Sequence, residues 1–390
     1  MRDPVTATRL RSFGTTIFTE MTRLANQHRA VNLAQGFPDF PGPQFAKDAA
    51  VRAIGEDRNQ YGRMQGEVPL VEAIAASLHA RHGLTYDPMT EIVVTSGATE
   101  AIAATILALV EPGDEVVVLE PYYDSYRACI SMAGGVPRFV TLRAPDFRWA
   151  PGAVAAAFSP RTRLVLVNTP HNPTGRVLTR DEMTEIAAQC VAHDAICVTD
   201  EVYDRLVFDG EHVAMATLPG MRERTISINS TGKTFSVTGW KVGWAAAPAT
   251  LAKAVATAHQ FLTFAVATPC QHAAAEALRT ATTYYDDFLR DYRGRRDFLV
   301  GALRDAGFAV TVPEGTYFVM ADIRPLGWDD DVAFCRHLVE TVGVAAIPLT
   351  AFYENKAEGR FLTRWAFCKR EETLREGVAR LGKLAARGQG

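Results

Sequence analysis

The chain has 390 residues, 48% of them apolar and 22% charged, so it can bury two cores and is neither disordered nor fibrous. A formal net charge of -3 argues against a nucleic-acid-binding surface, which needs clustered Lys and Arg, and a small-molecule partner is expected. Six cysteines (Cys129, Cys190, Cys197, Cys270, Cys335, Cys368) show no C-x-x-C spacing, so no metal site and no disulfide framework is expected. The first residues lack the apolar core of a signal peptide, and no apolar run approaches the roughly 20 residues of a membrane span. These features predict a cytoplasmic protein without a membrane partner.

The start of the chain reads as an arm with an amphipathic stretch over Phe18 to Leu24. A turn-rich loop punctuated by Gly and Pro follows, from Val31 to Pro41. Helical periodicity covers Pro69 to His79, and then short apolar runs alternate with helices. The strands expected are Ile92 to Thr95, Glu115 to Leu119, Leu164 to Val167, Ile196 to Thr199 and Thr225 to Ile228; the helices are Glu100 to Val110, one from Tyr126, and Arg180 to His193. That alternation predicts an α/β domain whose mostly parallel sheet is covered on both faces. Beyond Thr268-Pro269 a long helical region runs through Leu303 and acts as a connector. Strands over Ala309 to Val312, Tyr317 to Met320, Val344 to Ile347 and Phe361 to Phe367, with a helix from Glu371 to Ala386, predict a smaller α+β domain.

Ligands of such sheets gather at the carboxyl ends of the strands. The first run ends in Ser96-Gly97-Ala98-Thr99 and enters a helix, leaving backbone N–H groups open to an anion. The second is followed by Tyr122-Tyr123-Asp124-Ser125-Tyr126, an aromatic face for a flat ring. The third leads into the turn Asn168-Thr169-Pro170-His171-Asn172-Pro173, which can fix an amide donor. The fourth ends in Asp200-Glu201-Val202-Tyr203, and a carboxylate at the end of a buried strand calls for a positive partner. The fifth opens the stretch Asn229 to Trp244, with Lys233 at its centre. Gly232-Lys233-Thr234 hints at a P-loop, but that pattern needs glycine where Ser227 stands. Each piece alone is an ordinary cap, turn or surface residue. Together they match one ligand, pyridoxal 5'-phosphate, which needs an anion site, a stacking ring, a carboxylate for its pyridinium, a donor for its phenolic oxygen and a reactive lysine.

On these motifs the sequence resembles the class I aminotransferases of PLP fold type I. It is most similar to the subgroup of kynurenine/glutamine transaminase K, methionine and N-succinyldiaminopimelate aminotransferases. The likeness runs from Asn32-Leu33-Ala34-Gln35-Gly36-Phe37-Pro38-Asp39-Phe40 to Arg364-Trp365-Ala366-Phe367. It implies that Lys233 forms the internal aldimine, with Asp200 and Tyr203 as its catalytic partners. It implies phosphate contacts from Ser230, Lys241 and the backbone of Ala98 and Thr99, stacking by Tyr123, and phenolic-oxygen donors Tyr203 and Asn172. Arg364 is expected to grip the substrate carboxylate, with Gly36, Asn172 and Phe18 also at the substrate. Tyr61 matches a tyrosine that reaches the phosphate of a neighbouring subunit, so a homodimer with shared sites is implied. The domains implied are an arm over residues 1–42 that joins the small domain, a cofactor-binding domain over 43–285 and a small C-terminal domain over 286–390.

The expected reaction moves an amino group between an L-amino acid and a 2-oxo acid. Phe18, Phe37, Tyr123, Phe264, Tyr317 and Phe352 favour a methionine-, glutamine- or aromatic-type side chain, or a specialised-metabolite amino acid. Arg63 would suit a succinylated diaminopimelate, and a cysteine-conjugate β-lyase is the other alternative. Phe18 stands where the subgroup often has tryptophan, and Ala265 stands where kynurenine aminotransferases commonly have histidine. Both departures lie near the side-chain pocket, so substrate identity stays open.

Overall fold

Three sheets organise the computed structural model, which describes residues 5–281 and 283–385. In chain order the strands are β1 (Val31–Asn32), β2 (Ile92–Ser96), β3 (Glu115–Glu120), β4 (Val136–Thr141), β5 (Thr162–Asn168), β6 (Ile196–Asp200), β7 (Thr225–Ser230) and β8 (Val242–Ala246). They continue with β9 (Ala309–Thr311), β10 (Phe318–Asp322), β11 (Val344–Ala345), β12 (Ile347–Pro348) and β13 (Leu362–Ala366). The largest sheet has the order β2-β8-β7-β6-β5-β3-β4. Only β8 runs antiparallel to its neighbours. Leu164, Leu166, Val198, Ile226 and Ile228 are all but sealed from solvent. Such continuous apolar runs fit strands covered on both faces, and the fold is the expected mixed α/β one.

Register decides what meets at the strand ends. Asn168 at the end of β5 lies opposite Asp200 at the end of β6, and Ser230 of β7 lies opposite Gly243 of β8. Gly243 has no alternative here, because a Cβ would stand 2.5 Å from the Gly97 carbonyl carbon and 2.6 Å from Ala98 N. This close approach brings β8 against the start of the helix Gly97–Leu109.

A four-stranded antiparallel sheet, β12-β13-β10-β9, forms the second unit, and Arg364 of β13 pairs with Met320 and Ile347. β1 pairs in parallel with β11, which ties the start of the chain to this C-terminal part. No described helix is long and apolar enough to cross a membrane.

Several elements differ from the sequence reading. β4 was not expected: it is an edge strand carrying Pro137 and Arg138, with Val136 exposed, so it lacks the apolar run of its neighbours. β8 is hidden by Gly243, and the helix Ala249–Leu262 was also unanticipated. The long helical region divides into Thr268–Thr280 and Tyr284–Asp305. The expected strand Val344 to Ile347 is two short strands in different sheets. The final helix is Glu371–Ala385, and Ala386 lies outside the described residues, as do Met1 to Pro4 of the expected arm.

Candidate active site

A cleft of about 400 Å³ opens at the carboxyl ends of β5, β6 and β7, between the large sheet and β13. Its lining includes every residue given above a cofactor or carboxylate contact except Tyr61, but of the side-chain candidates only Phe18 and Tyr123, leaving out Phe37, Phe264, Tyr317, Phe352 and Arg63. Asp200 lies at its base. Its Oδ2 accepts from the Tyr126 hydroxyl at 2.6 Å and its Oδ1 from Val202 N at 3.4 Å. Burial pushes the Asp200 carboxyl up, while the Tyr126 hydrogen bond, the Val202 N–H and the more distant Lys233 pull it down. Among the described residues no side chain forms an ion pair with Asp200, and Lys233 is the cation that acts on it from a distance. Asn168 Nδ2 donates to the Asp200 carbonyl at 2.8 Å, and Asn168 Oδ1 accepts from Asn172 N at 2.7 Å. That pair fixes the turn carrying Asn172.

Lys233 stands in the single turn Thr231–Thr234 that follows β7. Its Nζ donates to the Gly36 carbonyl at 3.3 Å and faces the rings of Tyr203 and Tyr317, 5.9 and 5.7 Å from their centroids. Burial lowers its ammonium to about 8, against the opposing pull of Cys368 and Asp200. The amine thus loses its proton far more readily than a solvated lysine, with roughly a tenth of it neutral at pH 7 and able to act as a nucleophile or base. Tyr203 packs edge-on to Tyr317 at 5.1 Å, and burial pushes its phenol well up. The Tyr317 hydroxyl donates to the Gly36 carbonyl at 2.5 Å.

At one end of the cleft Ser230, Lys241 and the first turn of the helix Gly97–Leu109 converge. That helix has no side-chain cap, so the N–H groups of Ala98 and Thr99 offer themselves to an anion. Gly97, at φ +72°, lets Lys241 come close: a Cβ there would lie 3.2 Å from Lys241 Nζ. Tyr123 stands beside this end, its hydroxyl directed at the Thr99 side chain and pushed up to about 12 by burial.

At the other end the Arg364 guanidinium is buried, with Nη1 donating to Asn172 Oδ1 and Nη2 to the Ala34 carbonyl, both at 3.0 Å. Its charge centre sits 4.0 Å from the Phe318 ring centroid and 5.1 Å from those of Phe18 and Phe352. Burial lowers it to about 10, and its Nε is buried without a partner. Gly36 is required beneath it, because a Cβ would meet Phe318 Cζ at 2.6 Å.

Tyr61 is 86% exposed and rests edge-on against Phe264, 5.4 Å away, outside the cleft. Of the six aromatic candidates, Phe37 is also outside, with Lys369 over its ring, whereas Tyr317 and Phe352 back the lining residues. Arg63 gives its guanidinium to the Gly66 and Met89 carbonyls. Tyr126, Asn168 and Asp124 were given no role from sequence. The signal for Tyr126 is its i+3 spacing from Tyr123, which places both rings on one helix face; Asn168 needs the strand register. His82, Glu201 and His212 bring three donor atoms within 4.8 Å of one another. Both Glu201 oxygens are already committed, Oε1 to Thr199 and Oε2 to His212.

A mostly parallel sheet with a half-buried lysine, a buried carboxylate and a buried arginine around one cleft defines a class of enzyme that handles carboxylated amines. Comparison with known proteins narrows it. The family model "Aminotransferase class I and II" matches residues 28–381, and the chain belongs to that family. It is 47% identical to a probable N-succinyldiaminopimelate aminotransferase of Mycobacterium tuberculosis, over 98% of this chain and 99% of that one. It is 41% identical to a methionine aminotransferase of Escherichia coli, over 96% and 97%. A solved structure of the N-succinyldiaminopimelate aminotransferase from M. tuberculosis superposes with a TM-score of 0.95 at 48% identity, covering 97% and 100%. The chain is thus an aminotransferase that uses pyridoxal phosphate and acts on amino and 2-oxo acids. The cleft fits that cofactor on its own chemistry. It offers converging N–H groups and Lys241 for a phosphate, a buried carboxylate outside any ion pair for a pyridinium, and a buried guanidinium, Arg364, whose Nε has no partner.

Proposed function

We propose that Lys233 is the covalent anchor and proton carrier of this transaminase, and that the rest of the cleft holds cofactor and substrate around it. The observation that carries this is the placement of Lys233 Nζ, on the Gly36 carbonyl and within one cleft that also contains Asp200 and Arg364. When bound, pyridoxal phosphate supplies an aldehyde that condenses with amines and a ring that accepts the electron pair released as the substrate Cα–H bond breaks. Ser230, Lys241 and the N–H groups of Ala98 and Thr99 bind the phosphate, and Tyr123 covers the ring. Asp200, held by Tyr126, keeps the ring nitrogen protonated. Tyr203 and Asn172 donate to the phenolic oxygen. Arg364 presents a planar fork to the α-carboxylate, which a lysine could not copy. Gly36 and Phe18 complete the substrate wall. Lys233, with its lowered pKa, takes the proton from the substrate Cα and returns it on the other side of the reaction.

A methionine-, glutamine- or aromatic-type side chain is the proposed donor class, supported by the Phe18, Phe318 and Phe352 rings around Arg364. The 47% identity to a probable N-succinyldiaminopimelate aminotransferase supports that substrate as the second reading. The domain division proposed is 1–42, 43–285 and 286–390, and the β1–β11 pairing supports joining the arm to the last of these. A homodimer is supported by the exposed apolar group of Tyr61, Phe261, Leu262 and Phe264, with Tyr61 serving the neighbouring subunit's phosphate. Six free thiols support a reducing, cytoplasmic setting. The test is a panel of amino acids added to cofactor-loaded protein, following loss of the aldehyde-form absorbance. Conversion by methionine, glutamine or aromatic donors is expected; conversion by none of the amino acids would overturn the assignment.

A further inference from the structure

An exposed tyrosine can serve the neighbouring subunit's phosphate, as proposed above for Tyr61, only if its loop is held in place. Loop 61–66 is pinned at its start by Thr268 Oγ1, which donates to the Gln60 carbonyl at 2.7 Å, and at its end by Val94 N of β2, which donates to the Gln65 carbonyl at 2.9 Å. Between these points the Met64 carbonyl meets His259 Nε2 at 3.0 Å. His259 belongs to the helix Ala249–Leu262 and is sealed from solvent. Its Nδ1 lies 2.7 Å from Glu100 Oε1, and the other Glu100 oxygen accepts from the backbone N–H of Ser96, at the turn proposed for the phosphate. Burial opposes ionisation of Glu100, yet hydrogen bonds from His259, the Ser96 N–H and Thr263 hold its carboxyl below its ordinary value. A carbonyl and a carboxylate can only accept, so His259 donates from both nitrogens. Its backbone serves Tyr61 as well. The His259 carbonyl accepts from Thr263 N at 3.0 Å and Phe264 N at 3.1 Å, which holds Phe264 at φ +69°, and the Phe264 ring is the one on which Tyr61 rests edge-on.

We propose that His259 is a positioning residue for cofactor binding: through Met64 and Phe264 it sets Tyr61 for the neighbouring subunit's phosphate, and through Glu100 it ties that loop to the phosphate turn of its own subunit. The proposal rests on the reading of Tyr61 given above and adds what makes that reading workable. A side chain fixed in advance loses less freedom when its ligand binds, and the difference appears as affinity. His259 itself lies outside the residues that line the cleft, so it acts only through the groups it holds.

The readout is the ratio of two affinities of the cofactor-free protein, for pyridoxal phosphate and for pyridoxal, because a general loss of packing lowers both and leaves their ratio alone. Tyr61→Phe is expected to lower the ratio about tenfold, the size of one hydrogen bond to a charged group. His259→Asn keeps a donor near Nδ1 for Glu100 but does not reach Met64. It is expected to lower the ratio about as much, with the double variant no more than about twofold below either single one. His259→Gln reaches the Nε2 position and gives Met64 a donor, so the ratio is expected to stay within about threefold of wild type. An unchanged ratio in His259→Asn, or losses that multiply in the double variant, would overturn the proposal and leave Tyr61 its role. An unchanged ratio in Tyr61→Phe would overturn the reading of Tyr61 and the proposal with it. Should His259→Asn fail to fold, Phe264→Leu decides: the ratio is expected to fall about threefold with the loss of the ring contact, and no change overturns the proposal.

Discussion

Lys233→Met removes a half-buried charge, and its effect on stability can be worked out before any activity is measured. The ammonium falls from 10.5 to about 8 mainly because burial penalises its charged form. That fall corresponds to roughly 3 kcal/mol against the folded state. Lys233 keeps partial contact with the open cleft, so solvent screening reduces the figure to about 1–2 kcal/mol. The sign follows from proton binding. Below the folded value of about 8 the lysine is charged in both states and the penalty is fully present. As pH rises towards the unfolded value of 10.5, the folded amine is neutral and the penalty disappears. Cofactor-free Lys233→Met should therefore unfold at higher denaturant than cofactor-free wild type at about pH 7, with the gap more than halved by about pH 10. Urea titrations at the two pH values supply the comparison. A variant no more stable than wild type, or a gap that does not narrow, would refute the claim that this lysine sits as a destabilised cation.

Arg364→Lys keeps a charge but loses the planar fork; kcat/KM for amino acids should fall by about ten- to a hundredfold while the cofactor stays bound, as steady-state kinetics and cofactor absorbance would show. Tyr126→Phe removes the 2.6 Å hydrogen bond from Asp200 and should weaken cofactor affinity about tenfold by equilibrium dialysis. Gly97→Ala combines a positive φ with a Cβ pressed on Lys241 Nζ. It should cost about 1 kcal/mol of stability and weaken inorganic phosphate binding to the cofactor-free protein, both measurable by thermal shift.

Much of the cofactor end was legible in the sequence, because each strand of the parallel sheet ends in a short motif whose chemistry is local. Ser96 to Thr99, Asp200 to Tyr203 and Ser230 to Lys233 carry their meaning within four residues. What stayed hidden depends on distance in the chain. β8 could not be read because Gly243 serves a contact with Gly97, which periodicity does not report. β4 was missed because an edge strand is wetted on alternate residues. Asn168 supports the turn of Asn172 only once β5 and β6 are in register. The Arg364 end of the cleft is legible only through the family resemblance, since Arg364, Phe18 and Gly36 come from distant segments and line one cleft only in the folded chain.

The account turns on Lys233 holding the cofactor, and one measurement addresses that directly. Cofactor-loaded protein is reduced with borohydride, digested and mapped by mass spectrometry. The pyridoxyl group is predicted on Lys233, in the peptide that follows β7. Its appearance on Lys241, or on any other lysine, would contradict the account.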